Sequence, residues 1–364
     1  TLIMWDADNT FYSTELPTND WGVGTVLMEK LMSLPDYAAL YKTEMTRAVE
    51  LRQRLIDRAK DGVRPSYNDI LIKVCAAALM RQLYAEPVYR EHLEARRRKQ
   101  TAMPGIADNN VESDLTSARW VLLKAQRELL DTARADGVQL TLFHGRGGAI
   151  GAGGGKAHVD IRCAPAGGVE GGVRVIEQGE LVANKYGVRA IALRTFDQAL
   201  AAGLRSLVRP GRPPAAEGHR DWEDAMQVLA DASRAHYQAL VLESPGFAEY
   251  YRLATPADVI ERMRRGTSAE AGLAGGLLAA AGTAPWVFAW TQSRNILPGW
   301  YGFGTGLAAA VEKFGEPTLQ AMHDGWYFFR TLVADVETAL AKSDLAIAAR
   351  YSVLCGELHE YFFH

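Results

Sequence analysis

An imidazole and a guanidinium two residues apart, set in a glycine-rich stretch, are the side chains of this sequence best suited to chemistry. His144 and Arg146 flank the start of a segment, Gly145 to Gly155, in which glycine fills seven of eleven positions. Imidazole titrates near neutral pH and can take or give a proton, and a guanidinium presents a planar fork of donors to a carboxylate or phosphate. Glycines admit positive φ and let backbone N–H groups approach an anion, so Gly147 and Gly148 extend the donor set along the main chain. A flexible surface loop is the competing reading. The abutting strand-like run Leu140 to Phe143 favours a site, because it puts both polar side chains at a strand's carboxyl end, where α/β folds place chemistry.

Less committed groups surround this pair. Glu177 and Gln178 close a second strand-like run and either line the same pocket or hydrogen-bond its floor. Arg294, after Trp290-Thr-Gln-Ser, either faces the site or lies away from it, and Lys156 and His158 read as surface residues.

The elements that must position these groups can be followed along the chain. Leu2 to Trp5 is a short strand leading to Asp6-Ala-Asp-Asn9, two carboxylates that suit a solvated turn better than a cation site. From Gly24 to Gln100 the apolar period is mostly helical, with Val26, Leu27, Leu31 and Met32 on one face and Leu71, Ile72, Cys75, Ala78 and Leu79 on another. Ser66 is placed to cap the second of these helices. A long amphipathic helix follows from about Asp114 to Ala135, with Trp120, Leu123, Ala125 and Leu129 on its apolar side. Gly167 to Gly172 turns the chain into a strand from Val173 to Glu177. Long helices follow, with one later strand expected at Trp286 to Trp290 and a solvated loop at Pro210 to Glu217. The aromatic residues of Trp286 to Trp290 and Trp326 to Phe329 read as core.

Composition excludes several classes. With 364 residues, 48% hydrophobic and 23% charged, the chain is an ordinary globular sequence large enough for one large or two small domains. A formal net charge of -3 offers no footprint for nucleic acid. Cys75, Cys163 and Cys355 are far apart and read as reduced core thiols. No uninterrupted apolar run is long enough for a membrane span, and the first residues lack a signal-peptide layout, so the expected location is cytoplasmic with no membrane partner.

Several motifs also resemble one family. Phe143 to Gly148 (FHGRGG), followed by Gly151 and Gly153-Gly154, is similar to the FHGRGGxxGRGG signature of phosphoenolpyruvate carboxylases. In matching order come Val173 to Glu180 (RVTEQGE in the family), Lys185-Tyr-Gly187, Tyr250 to Pro256, Pro285 to Arg294 (PWIFAWTQxR in the family), Leu297 to Trp300 and Ala341 to Asp344. Upstream, Tyr89 to Arg96 and Met103 to Asn110 resemble the segment ending in GYSDSxKD. The resemblance covers roughly residues 85 to 355. Within the N-terminal part, residues 43 to 79 are locally similar to helices of dihydrolipoyl acyltransferases, without that family's HxxxDG motif.

The carboxylase resemblance implies a shortened, helix-rich α/β barrel of the TIM type, with residues 1–100 as an N-terminal strand and helical segment and 101–364 as the catalytic barrel, all in one continuous domain. It implies attack of a metal-stabilised enolate on carbon dioxide, with Mg²⁺ or Mn²⁺ held by Asp108, although Asn109 and Asn110 also suit Asp108 to a capping turn. His144 falls on the family's active-site histidine and Arg146 on its neighbouring arginine. Four family cations fall on Val111, Ala152, Ser268 and Gly282. Each charge-assisted bond contributes about 1.5–3 kcal/mol, so a phosphorylated ligand would be held far more weakly.

The expectation is therefore a diverged lyase acting on a small keto or dicarboxylic acid. A catalytically silent assembly partner and a true phosphoenolpyruvate carboxylase are the alternatives. Only Lys342 remains of the family's aspartate inhibitor site, so inhibition by aspartate is not expected, and the open strand edges of a shortened barrel lead us to expect a homo-oligomer.

Overall fold

The computed structural model describes residues 2–5, 11–12, 76–104, 111, 113–145, 156–176, 182, 185–208, 220–263 and 286–363. Its strands are β1 (Leu2–Trp5), β2 (Phe11–Tyr12), β3 (Lys99–Met103), β4 (Gln139–Gly145) and β5 (Val173–Ile176). They form one sheet in the order β2-β1-β3-β4-β5, antiparallel only between β1 and β2. The described helices are α1 (Ala76–Ala85), α2 (Pro87–Ala95), α3 (Leu115–Ala135), α4 (Ala157–Cys163), α5 (Arg189–Val208), α6 (Arg220–Val241), α7 (Phe247–Ala254), α8 (Ala257–Met263), α9 (Trp286–Gln292), α10 (Phe303–Phe314), α11 (Glu316–Gly325), α12 (Tyr327–Lys342), α13 (Leu345–Ser352) and α14 (Glu357–Phe362). The chain divides into two compact units: the first holds the sheet with α1, α2, most of α3 and α5, the second the start of α3 and all of α6 to α14.

In the first unit, β4 takes the centre because alternate residues suit two environments. Leu140 and Leu142 are buried with Ala102, Leu129, Leu130 and Ala133, while Gln139 and Thr141 bond outward to the turn before β5: Gln139 Nε2 to the Glu170 carbonyl and Thr141 Oγ1 to the Gly171 carbonyl. α3 runs alongside with its apolar side inward, and Gly137 ends it at φ 65, a conformation that costs glycine nothing. β3 begins at the end of the stretch whose period reads as helical up to Gln100; α2 stops at Ala95, and parallel pairing to β1 and β4 draws Lys99–Met103 into the sheet.

The core of the second unit is aromatic. Trp286, Trp290, Phe247, Tyr250 and Tyr251 are buried together, and Trp286 Nε1 donates to Tyr237 Oη at 3.0 Å. The segment expected to be a strand at Trp286 to Trp290 is instead α9. Trp286, Val287, Ala289 and Trp290 are buried while Phe288 is exposed, a three-to-four spacing that a helix satisfies and a two-residue alternation does not. Trp326, Phe328 and Phe329 are core residues, with Trp326 edge-on to Trp120.

α6 and α10 pack at close range through a glycine. A Cβ on Gly306 would stand 2.3 Å from the Leu229 carbonyl oxygen, which is backbone and cannot swing aside. Glycine-to-alanine changes inside helices ordinarily stabilise by about 1 kcal/mol. Gly306→Ala is expected to do the reverse, lowering unfolding free energy in urea by roughly 1–3 kcal/mol through overpacking; an unchanged or higher midpoint would show that the two helices separate without cost.

Candidate functional site

His144 stands on the last turn of the pleat in β4, opposite Val175 of β5, and Gly145 stands opposite Ile176. The strand thus keeps parallel pairing up to the residue where the glycine-rich stretch begins. Arg146, Gly147, Gly148, Asp108 and Glu177 lie outside the described residues, as do Ala152, Ser268, Gly282, Gln178, Asp6 to Asn9, the 24–75 stretch with Ser66, and the 210–217 loop. Lys156 is exposed just ahead of α4, and His158 is half-buried within it.

Arg294 belongs to the second unit, so it and His144 are positioned by different compact bodies. It sits just past α9 at φ 62, and Ile296 follows at φ 51. Left-handed backbone is unfavourable for a β-branched residue by the order of 1 kcal/mol or more, and the corner persists because hydrogen bonds fix it from several sides. Asp344 N–H donates to the Arg294 carbonyl at 2.9 Å and Ile296 N–H to the Trp290 carbonyl at 3.1 Å. The Asn295 carbonyl accepts both Trp300 Nε1 at 2.8 Å and Ser343 Oγ at 3.0 Å. Three of the motifs quoted above, ending at Arg294, Trp300 and Asp344, therefore meet at one strained corner, which leaves the Arg294 side chain exposed.

A third feature, absent from the sequence reading as a functional element, fixes the chain shortly after Asp108. Asp114 is fully buried and caps α3: its Oδ2 accepts Thr116 N–H at 3.0 Å and Ser233 Oγ of α6 at 2.6 Å, and its Oδ1 accepts the Ser117 hydroxyl. An aspartate three residues ahead of a serine at a helix start is a cap signature, and that spacing was the available signal. Burial pushes the Asp114 carboxyl above its ordinary value, while the bonds from Ser117, Ser233 and Thr116 pull the other way.

Among the described residues no three His, Cys, Asp or Glu side chains come together as a metal site. Neither Cys163 nor Cys355 forms a disulfide, and burial pushes the Cys355 thiol up to about 11, so it is not a nucleophile at neutral pH. No described helix is long and apolar enough to cross a membrane.

Comparison with known proteins agrees with the motif series. The sequence profile of the family described as phosphoenolpyruvate carboxylase matches residues 46–364, beginning inside the stretch that is locally similar to acyltransferase helices. A phosphoenolpyruvate carboxylase of Xanthomonas euvesicatoria pv. vesicatoria is 46% identical over 285 residues, covering 78% of this chain and 31% of the relative. One from Azoarcus sp. is 38% identical over 305 residues, 83% of this chain and 33% of the relative. Phosphoenolpyruvate carboxylase 2 of Chlamydomonas reinhardtii is 40% identical over 278 residues, 76% of this chain and 22% of the relative. The chain thus spans about a third or less of the length of these relatives.

The raised Asp114 carboxyl sets a pH dependence whose sign can be worked out. Between the unfolded carboxylate value, about 4, and the higher folded value, the folded chain holds more proton than the unfolded one, so stability falls as pH rises through that window and then levels. Asp114→Asn removes the titration. Thermal unfolding of both proteins from pH 4 upward should show the difference moving in the variant's favour; movement the other way would mean that the hydrogen bonds from Thr116, Ser117 and Ser233 outweigh burial.

Proposed function

Because the chain belongs to the phosphoenolpyruvate carboxylase family, we propose that it carries out carboxylase-type lyase chemistry, making or breaking the bond between carbon dioxide and the enolate carbon of a small keto or dicarboxylic acid. The observation that carries this reading is that β4 delivers His144 to the carboxyl end of a parallel strand directly ahead of the glycine-rich 145–155 stretch. His144 moves a proton to or from the reacting substrate. Arg146 and Arg294 hold carboxylates, the N–H groups of Gly147 and Gly148 cradle the negative charge, and Glu177 borders the pocket.

Asp108 would contribute to holding Mg²⁺ or Mn²⁺, whose role when bound is to set positive charge against the developing enolate. In the same reading the described strands belong to a TIM-type barrel, and the protein works in the cytoplasm as a homo-oligomer. The substrate is unphosphorylated, because Val111, which falls on a family lysine, is buried in the aromatic cluster and presents no charge to a phosphate.

The expected result is Mn²⁺- or Mg²⁺-dependent loss of carbon dioxide from oxaloacetate, followed as pyruvate, with His144→Ala lowering kcat by about 10²-fold or more and leaving far-UV circular dichroism unchanged. Bicarbonate-dependent oxaloacetate formation from phosphoenolpyruvate, read through malate dehydrogenase, would keep the carboxylase assignment and overturn the unphosphorylated substrate. Turnover of neither compound would overturn the assignment itself.

A further inference from the structure

A cavity of about 440 Å³ opens at the amino ends of β3 and β4, lined by Tyr84 of α1, Arg90 and Leu93 of α2, Arg98 just ahead of β3, and the residues 135–138 that lead from α3 into β4. All of these residues belong to the first unit. β4 rises about 3.3 Å per residue, which puts the cavity roughly 20 Å from His144 at the strand's other end. Small-molecule pockets typically enclose about 300–1,000 Å³, so this space admits a small ligand of its own, apart from the candidate site.

Its wall is held in unfavourable backbone. Arg97 and Arg98 are both left-handed, at φ 54 and φ 54, and two such residues in a row persist only when the surroundings fix them. Arg98 is fixed four times over: its N–H donates to the Leu93 carbonyl at 2.7 Å, its carbonyl accepts Gln139 N–H at 2.8 Å, its Nε donates to Glu94 Oε1 at 2.7 Å and its Nη1 to the Asp136 carbonyl at 2.9 Å. Gly137, at φ 65, leaves room for the last of these, since a Cβ there would stand 3.0 Å from Nη1. A wall set before a ligand arrives loses little freedom on binding.

Three groups on this lining have no partner among the described residues. Arg90 donates Nε to the Tyr84 carbonyl at 2.8 Å, and neither of its terminal nitrogens is bonded. The Asp136 carboxylate is unpaired, whereas the charge of Arg98 is already met by Glu94. Tyr84 is 2% exposed with its hydroxyl unbonded, a costly state for a buried polar group. Burial, then Tyr89 and then the Asp136 carboxylate push that hydroxyl above its ordinary value, so hydroxyl and carboxylate lie within electrostatic reach without being bonded. A guanidinium and a carboxylate that share a cavity and do not pair call for a ligand carrying both opposite charges. A simple anion would be repelled by Asp136, and a simple amine would leave Arg90 unmet. We propose that this cavity binds a free α-amino acid, its carboxylate on the Arg90 fork, its ammonium on Asp136 and an apolar side chain against Leu93 and Val138. An ammonium drawn to Asp136 also brings a partner toward the Tyr84 hydroxyl.

The test titrates each standard L-amino acid into the full 364-residue chain by calorimetry, and then, for any that binds, the amine and the carboxylic acid that each lack one of its two charged groups. At least one amino acid with an apolar side chain should bind saturably, one per chain, and its single-charge analogues at least about tenfold more weakly. Arg90→Gln and Asp136→Asn should each weaken binding at least about tenfold. Both side chains are exposed, so circular dichroism and melting temperature should not change, and if one variant unfolds the other carries the comparison. His144→Ala should bind as the parent does. The proposal is overturned if no amino acid binds, if a single-charge analogue binds as well as the amino acid, if the folded variants bind like the parent, or if His144→Ala abolishes binding and so puts the ligand at the other end of β4. Binding is read without turnover, so this result stands or falls apart from the carboxylase reading.

Discussion

Parallel pairing on both sides of β4 is the constraint on which the rest of the first unit depends. Leu142 is fully buried opposite Ala102 of β3 and Val173 of β5, and a slip of one residue would turn it outward and bring Thr141 into the core. Burying that one side chain therefore fixes the register at the strand's far end, and with it the position of His144.

α3 and α5 flank the same sheet and obey opposite rules. α3 puts Leu129, Leu130 and Ala133 against the strands and is satisfied by its own unit. α5 uses alanines for that purpose and keeps leucine and phenylalanine on a different side. Small residues contribute little apolar area; at about 25 cal/mol per Å², the larger part of this helix's burial is left unrealised. A helix so arranged is an interior helix by sequence and a peripheral one in the described residues.

Legibility followed how much local pattern each element carries. α3, β4, the turn at 167–171 and β5 were all readable, because three-to-four spacing, alternation and clustered glycines are written in contiguous residues. β3 was not. Lys99-Gln-Thr-Ala-Met103 has one β-branched residue and no alternation, and it is a strand only because two neighbours supply its hydrogen bonds. The five apolar residues of Trp286 to Trp290 suit a buried strand as well as a buried helix, and only tertiary burial distinguished them. Within the site, the placement of His144 at a strand end was readable. The left-handed corner at Arg294 was not, since its conformation is imposed by Trp300, Ser343 and Asp344 from outside the segment.

Val111 shows why the neutral residues at family cation positions are not simple deletions. It packs in the second unit's core with Tyr251, Trp286 and Trp290, and almost none of it reaches solvent. An ammonium held there without a partner would cost several kcal/mol in desolvation, so a lysine at this point requires either an anion beside it or a different local packing. Valine removes that requirement and adds to the aromatic core, while Asp114, three residues on, has its carboxylate committed to Thr116, Ser117 and Ser233. Both groups at the entrance to α3 are thus engaged in holding the helix in place.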